Sequence, residues 1–283
     1  MRVNVNGVSL FFDVEGAKLV PDGSSMREQP TLMLLHGGPG EDHSPLKVHF
    51  GALSDIAQIV YLDLRGHGRS DRSDSGHWNL AQWADDLSEL CSALEIGRPI
   101  VFGESFGRFV AMKYATQRPT EPLKLILSST RAGPQDIAET IDIGMRLGGS
   151  SFESLAAAWL QYRDPEQWHE ITQAIGKLSS RREQDGSIAR RGIWSQEVFD
   201  WFNRQGGESE SLELHSDLAR VVCPTLVLCG EDDPITPAGA SRQIVSALSP
   251  EIVRFELFPD CGHIVERDKP TEFLATIREF ILS

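Results

Sequence analysis

Short runs of apolar residues, bounded by turn residues, recur along the first 130 positions of the chain and again beyond position 220. Runs of six or seven residues are too short for helices with one buried face, and they are typical of strands buried on both faces of a sheet. The strands that these runs predict are residues 31–36, 58–63, 99–104, 123–129, 225–230 and 252–258.

Residues with helical spacing lie between the predicted strands. Over 79–96 the apolar residues recur three, four or seven positions apart, which places them on one face of a helix. The residues over 237–248 and 271–282 predict further helices. Alternating strands and helices favour an α/β fold with a mostly parallel central sheet flanked by helices.

Two segments depart from this alternation. Apolar and polar residues alternate around Asn6-Gly7, which predicts an antiparallel hairpin at an edge of the sheet, and the polar residues 21–29 predict a loop. Residues 131–216 contain no strand-like run, and their aromatic residues have mainly helical spacing. We therefore expect a core made of residues 1–130 and 217–283, with 131–216 inserted as a helical cap.

The charge of the chain excludes some classes of partner. The 283 residues carry a formal net charge of −14 and no Lys/Arg-rich run, which argues against nucleic acid and against an anionic membrane surface. No apolar run reaches the roughly 18 residues of a membrane span, and the N-terminus has no signal-peptide pattern, so we expect a cytoplasmic protein. The four cysteines are scattered and predict no metal site.

Residues 103–107 have the pattern G-x-S-x-G between a predicted strand and a predicted helix. In that setting the motif predicts a tight turn that exposes the hydroxyl of Ser105 as a nucleophile. The base and the orienting acid of such a serine follow it in the order acid, then histidine. His263 is the only histidine after Ser105 that lies outside the predicted cap, and it follows the predicted strand 252–258. The acid is expected in the loop after the preceding strand, 225–230, where Asp232 and Asp233 are the candidates.

A glycine-rich turn, His36-Gly37-Gly38-Pro39-Gly40, follows the first strand of the predicted parallel set. It lets a backbone amide approach a substrate carbonyl, so the amides of Gly38 and Phe106 are the predicted oxyanion hole. The turn matches neither common phosphate-binding pattern, and we expect no cofactor. Residues 63–70, DLRGHGRS, predict a structural element of ion pairs and turns.

These ordered motifs together resemble the α/β-hydrolase superfamily with a helical cap, over nearly the whole chain. The pentapeptide HGGPG and residues 158–163 are similar to the prolyl aminopeptidase (proline iminopeptidase, S33) branch. The resemblance selects Asp233 as the acid and implies removal of an N-terminal residue from small peptides or arylamides. We predict Glu104, Trp159 and Tyr162 as substrate-binding residues, although the family usually has glycine where this chain has Glu104. Arg108 stands where the family has a small residue, so we expect it to bend out of the helix interface.

Other functions remain open from the sequence. The same triad would serve a carboxylic esterase or lactonase, which needs no site for a substrate amine. The cap has 14 acidic and nine basic residues, so it is no more acidic than the remainder and does not by itself indicate an amine pocket. A non-catalytic binding protein is a more remote alternative. The expected partner is a small molecule or a short peptide, and the oligomeric state is open.

Overall fold

The computed structural model describes residues 1–134, 136–162, 165–183 and 186–283. Within these ranges it describes only the backbone of residues 158–162, 165–169, 172 and 188–189. The strands are β1 (Arg2–Val5), β2 (Val8–Glu15), β3 (Leu19–Asp22), β4 (Ser25–Glu28), β5 (Thr31–Leu35), β6 (Gln58–Leu62), β7 (Ile100–Glu104), β8 (Lys124–Ser128), β9 (Thr225–Gly230) and β10 (Val253–Phe258).

The helices connect and cover these strands. They are α1 (Lys47–Phe50), α2 (Leu80–Ala93), α3 (Gly107–Gln117), α4 (Ile137–Tyr162), α5 (Pro165–Leu178), α6 (Gly186–Arg191), α7 (Gln196–Asn203), α8 (His215–Leu218), α9 (Ala238–Ala247), α10 (Val265–Asp268) and α11 (Pro270–Leu282). None of the helices in the described residues is long and apolar enough to cross a membrane.

Eight strands form one sheet in the order β1-β2-β6-β5-β7-β8-β9-β10. Strand β2 is antiparallel to both of its neighbours. The other six strands, β6, β5, β7, β8, β9 and β10, are parallel to one another. Every residue of β5 and of β9 is buried, because helices cover both faces of the sheet. The mostly parallel α/β fold is confirmed, and the predicted strands agree with the observed ones to within one residue at each end.

The two faces of the sheet support separate hydrophobic clusters. Successive side chains of a strand point to opposite faces, so Val101 belongs to one cluster and Phe102 to the other. Helices α2 and α3 pack on the first face, while α1 and α11 pack on the second. The predicted apolar face of α2 is buried, and the helix begins where the side chain of Asn79 accepts the N–H of Gln82.

The prediction of a loop over residues 21–29 is wrong. Strands β3 and β4 pair with each other there as an antiparallel hairpin, apart from the main sheet. Seven of their eight residues are exposed, so neither strand has the alternation between apolar and polar positions that reveals a half-buried strand. The hairpin at Asn6-Gly7, in contrast, forms as predicted and places β1 at the edge of the sheet.

The chain between β8 and β9 folds into helices α4 to α8 in its described residues. Apolar side chains of α4 and α5 form a third, smaller cluster that includes Ile141, Phe152 and Ile171. Helix α4 is broken at Gly149, which has φ of 60° and ψ of −153°. The limits of the cap at residues 131 and 216 stay a prediction.

Candidate active site

Ser105 lies in a tight turn between β7 and α3. Its φ is +46°, in the left-handed region that non-glycine residues seldom adopt. A Cβ atom on Gly107 would lie 2.3 Å from the carbonyl oxygen of Leu35, and one on Gly103 would lie 2.6 Å from Cα of Arg108. Glycine at both positions therefore lets α3 pack closely on β5 and β7, and this packing holds the strained turn in place.

Ser105, His263 and Asp233 come together at the carboxyl ends of three parallel strands. His263 Nε2 is 3.3 Å from Ser105 Oγ, and His263 Nδ1 is 2.8 Å from Asp233 Oδ2. Asp233 is fully buried and His263 is 8% exposed. Hydroxyl, imidazole and carboxylate thus stand in the order that proton transfer away from a serine requires. The neighbouring Asp232 pairs with two arginines instead.

The carboxyl group of Asp233 is surrounded by hydrogen-bond donors. Its Oδ1 accepts the N–H groups of Ile235 and Thr236 at 2.8 and 2.9 Å, and its Oδ2 accepts the hydroxyl of Thr236 at 2.7 Å. Burial opposes the charge, but His263 and the donors of Thr236 outweigh it and lower the pKa of Asp233. Asp233 is therefore ionised at neutral pH and favours the His263 tautomer whose Nδ1 carries the proton.

The glycine-rich turn lies beside Ser105. A Cβ atom on Gly37 would lie 3.5 Å from Ser105 Cβ, and Gly38 has φ of +114°, a conformation suited to glycine. His36 anchors the turn because its Nδ1 lies 2.9 Å from the carbonyl oxygen of Gly37 and its Nε2 accepts the N–H of Leu64. Burial lowers the pKa of His36, which fits the neutral ring that these two contacts require.

The side chain of Phe106, the residue after Ser105, is buried among other aromatic rings. The ring centroids of His67, Trp83 and Phe202 lie 5.6, 5.1 and 5.2 Å from that of Phe106. This packing fixes the backbone at the start of α3. Phe106 directly follows Ser105, and Gly38 directly follows Gly37, whose Cβ position lies beside Ser105.

A cavity of about 370 Å³ is lined by Glu104 and Ile264, the chain neighbours of Ser105 and His263. The charged residues of its lining are Glu41, Glu104, Glu183, Glu266, Arg182 and Arg267. A Cβ atom on Gly37 would lie 2.8 Å from Glu41 Oε2 as well as close to Ser105, so this carboxyl group and the serine border the same glycine. The predicted Glu104 therefore lies in the lining of a charged cavity, directly before Ser105 in the chain.

Two carboxyl groups of this cavity bind protons more tightly than usual. Burial raises the pKa of Glu41 to about 8, and the negative charges of Glu104 and Asp42 add to this effect. Burial also raises the pKa of Glu266, and Glu104 again contributes. Because burial and the neighbouring negative charges favour the protonated forms of both groups, an entering cation would shift them toward their ionised forms.

The sequence reasoning did not find Glu41 and Glu266. Each lies close to a predicted motif, since Glu41 directly follows HGGPG and Glu266 is three residues beyond His263. That proximity was the only signal available, because the two residues meet Glu104 through the fold. Of the four acidic residues that line the cavity, Glu41, Glu104 and Glu266 belong to the predicted core, and Glu183 belongs to the predicted cap.

The expectation that Arg108 bends out of the helix interface is wrong. Its side chain is fully buried, and no guanidinium nitrogen has a hydrogen-bond partner in the described part of the chain. Burial lowers the pKa of Arg108 to about 9, while the negative charges of Glu104, Asp233 and Glu266 oppose that decrease. These charges explain how the interior beneath the turn accommodates the cation.

The other two predicted substrate-binding residues are Trp159 and Tyr162. Both lie near the end of α4, but their side chains are outside the described residues. A metal site is also absent from the described part of the molecule, where no three His, Cys, Asp or Glu residues are grouped to bind an ion.

Comparison with known proteins agrees with this geometry. The family model for the alpha/beta hydrolase fold matches residues 30–270. The chain belongs to the α/β-hydrolase family. Among curated α/β-hydrolase relatives, the proline iminopeptidase of Heyndrickxia coagulans is 26% identical over 277 residues, which cover 89% of this chain and 90% of that protein. The resemblance to proline iminopeptidases is thereby confirmed.

Solved structures show the same α/β-hydrolase fold. The proline iminopeptidase of Mycobacterium smegmatis superposes with a TM-score of 0.81 at 20% identity, covering 99% of this chain and 97% of the other. Est816, described as an N-acyl homoserine lactone degrading enzyme, gives a TM-score of 0.74 at 20% identity, covering 99% and 100%. Relatives with different substrates therefore share the fold.

Proposed function

We propose that the protein is a serine hydrolase in which Ser105, His263 and Asp233 form the catalytic triad. The observation that carries the proposal is that His263 has Ser105 Oγ at one ring nitrogen and Asp233 at the other. His263 Nε2 takes the hydroxyl proton while Ser105 Oγ attacks an acyl carbon, and Asp233 stabilises the imidazolium that forms.

The remaining steps follow from the same groups. The backbone amides of Gly38 and Phe106 stabilise the tetrahedral oxyanion, and each donor is expected to contribute on the order of 3 kcal/mol. His263 returns its proton to the leaving group, which leaves an acyl-enzyme on Ser105. A water molecule then attacks that ester, with His263 again acting as the base, and the acid product departs.

For the substrate we propose a small peptide or arylamide with a free N-terminal residue, as the name proline iminopeptidase describes for the curated relatives. The cavity supports this choice because the amine of such a substrate lies within a few ångströms of the carbonyl that Ser105 attacks. Glu41 and Glu104 border Ser105 and offer carboxylates to an ammonium group at that distance.

The second candidate is a carboxylic esterase or lactonase. The raised pKa values of Glu41 and Glu266 favour it, since protonated carboxyl groups are neutral and suit an uncharged substrate. The structural neighbour Est816 is described as degrading a lactone. The two candidates share every catalytic group and differ in whether the cavity binds a cation.

The test compares proline arylamide with its N-acetyl derivative, a short-chain aryl ester and a lactone, for the parent protein and for Ser105→Ala. The proposal expects hydrolysis of free proline arylamide, no hydrolysis of the acetylated form and no turnover by Ser105→Ala. Glu41→Gln should raise the KM for the arylamide about tenfold, because it removes a charged partner of the amine, and should leave the KM for the aryl ester unchanged.

The control for the Glu41 variant is Glu272→Gln, which changes an exposed carboxyl group in the first turn of α11. Turnover of the ester or the lactone alone would select the second candidate. Undiminished turnover by Ser105→Ala would exclude both.

A further inference from the structure

The loop that carries His263 is hydrogen-bonded to the segment between α5 and α6. The N–H of His263 donates to the carbonyl oxygen of Ser179 at 2.7 Å. A Cβ atom on Gly262 would lie 2.5 Å from that same oxygen, so the glycine allows the two backbones to approach. The position of the histidine thus depends directly on residue 179 of the predicted cap.

Asp268, at the end of α10, adds a second connection between these segments. It is 3% exposed, and its Oδ2 accepts the N–H of Gly262 at 2.8 Å. Its Oδ1 accepts the hydroxyl of Ser180 at 2.5 Å and the N–H of Arg181 at 2.9 Å. One buried carboxylate therefore joins the histidine loop to residues 180 and 181 through three donors.

Arg181 also reaches the loop that carries the acid of the triad. Its Nη2 lies 3.2 Å from Oδ2 of Asp232, the residue directly before Asp233. The side chain of Arg181 is 24% exposed and that of Asp232 is 13% exposed, so the pair is partly shielded from water. Arg146 of α4 pairs with the same carboxylate. Arg181 thus binds Asp268, which holds the His263 loop, through its backbone N–H. It binds Asp232 of the Asp233 loop through its side chain.

The glycine-rich turn is held in the same way from another part of the chain. The N–H of Ser195 donates to the carbonyl oxygen of Gly40 at 2.7 Å. Segments between β8 and β9 therefore contact all three loops that supply His263, Asp233 and Gly38.

We propose that Arg181 is a positioning residue, which holds the loops of His263 and Asp233 at their mutual distance by binding Asp268 and Asp232 together. The inference rests on the proposed function, because the distance between His263 and Asp233 affects activity only if both belong to the catalytic triad. Arg181 contacts neither His263 nor Asp233 through its side chain, so its effect is on their placement and not on the chemistry itself. A displacement of about 1 Å in a catalytic group can reduce a rate by up to about 100-fold.

The experiment replaces Arg181 with Gln and with Lys, and replaces Arg278 with Gln as the matched control. Arg278 binds Asp55 through two contacts of 2.7 and 2.8 Å, and the side chains of this pair are 36% and 62% exposed. Two readouts are measured: kcat and KM for the substrate that the parent cleaves, and the rate at which a small fluorophosphonate labels Ser105. The phosphonate is too small to need contacts with the cap.

Arg181→Gln is expected to lower kcat about tenfold with KM within twofold, and to slow labelling by the same factor. Arg181→Lys keeps the charge beside Asp232 and should recover most of the loss, while Arg278→Gln should match the parent. Asp232→Asn removes the same ion pair from the other side and should slow labelling as well, which protects the test if Arg181→Gln is poorly folded.

Three outcomes would overturn the inference. One is a kcat for Arg181→Gln within twofold of the parent. Another is a rise in KM with an unchanged labelling rate, which would indicate a substrate contact. The third is a lowered melting temperature with normal labelling, which would indicate a purely structural role. If Ser105→Ala keeps both hydrolysis and labelling, the proposed function itself fails; if it loses both while Arg181→Gln keeps both, only this inference fails.

Discussion

Two buried histidine–aspartate pairs occur in the described part of the chain, and their distances and burial are nearly the same. His263 Nδ1 lies 2.8 Å from Asp233, and His43 Nδ1 lies 2.6 Å from Asp63. Both aspartates are fully buried, and both histidines are less than a tenth exposed. In each case burial opposes the charged form, but the histidine and the other groups around the carboxylate together outweigh it and lower the pKa of the aspartate.

The pairs differ in what surrounds the rest of the imidazole. His263 turns its Nε2 to Ser105, whereas the ring of His43 stacks on Phe11 at 5.8 Å and lies against Tyr61 at 6.0 Å. A serine does stand beside His43, but the hydroxyl of Ser44 donates to Asp42 instead. The comparison teaches that a buried histidine–aspartate pair becomes a candidate base only when the fold presents a nucleophile to its free nitrogen.

The aspartates differ as well. Asp63 also accepts the backbone N–H groups of His43 and Arg69, at 3.0 and 2.8 Å, so it fastens two loops. In the described residues, the backbone donors to Asp233 are Ile235 and Thr236 of a single turn. We therefore expect the first pair to serve stability and the second to serve catalysis.

The largest expected effect concerns activity. Asp233→Asn should lower kcat/KM by about 10⁴-fold, because an amide favours the wrong tautomer of His263 and cannot stabilise its charge. Asp63→Asn should leave kcat/KM of the folded protein within about threefold of the parent. Steady-state kinetics at 25 °C, on samples shown to be folded by circular dichroism, make the comparison. Equal losses in the two variants would contradict the division between the pairs.

The next effect concerns stability, and it is expected for the Asp63 variant instead of the Asp233 variant. Asp63→Asn should lower the free energy of unfolding by about 3 kcal/mol, because the backbone donors of His43 and Arg69 lose a charged, buried acceptor. Asp55→Asn is the control, since Asp55 binds Arg278 with 62% of its side chain exposed and should cost at most about 1 kcal/mol. Urea unfolding measures both. A cost for Asp63→Asn no larger than the control would remove the structural assignment.

The two pairs differ in how much of each the sequence predicts. The prediction of Ser105 rests on glycines that a strained turn requires, and that of His263 on its place after the later strands of a parallel sheet. The segment 63–70 was interpreted as ion pairs and turns, and Arg65 and Asp86 do form a buried ion pair at 2.7 Å. The strands of the sheet were predictable because burial on both faces leaves a continuous apolar run.

What the sequence could not show depends on side chains that meet only after folding. Glu41 and Glu266 follow β5 and β10, and Glu104 is the last residue of β7, so no spacing along the chain reveals their common cavity. The burial of Arg108 depends on carboxyl groups from those same distant segments. The hairpin of β3 and β4 was missed for the opposite reason, because its exposed residues leave no hydrophobic pattern.

The smallest expected effect is a pH dependence that belongs to the structural pair. Burial alone would raise the pKa of Asp63, but the hydrogen bond and charge of His43 lower it from 3.8 to about 2. The stability that this carboxylate contributes is therefore fully present above pH 3.8 and is lost as the pH falls through about 2. Between pH 5 and pH 3 the parent should lose about 1 kcal/mol that Asp63→Asn, which has no such titration, does not lose. Urea unfolding of both proteins at several pH values measures this difference. If the difference in unfolding free energy between the parent and Asp63→Asn stayed constant or increased toward acid pH, His43 would not hold Asp63 in its charged form.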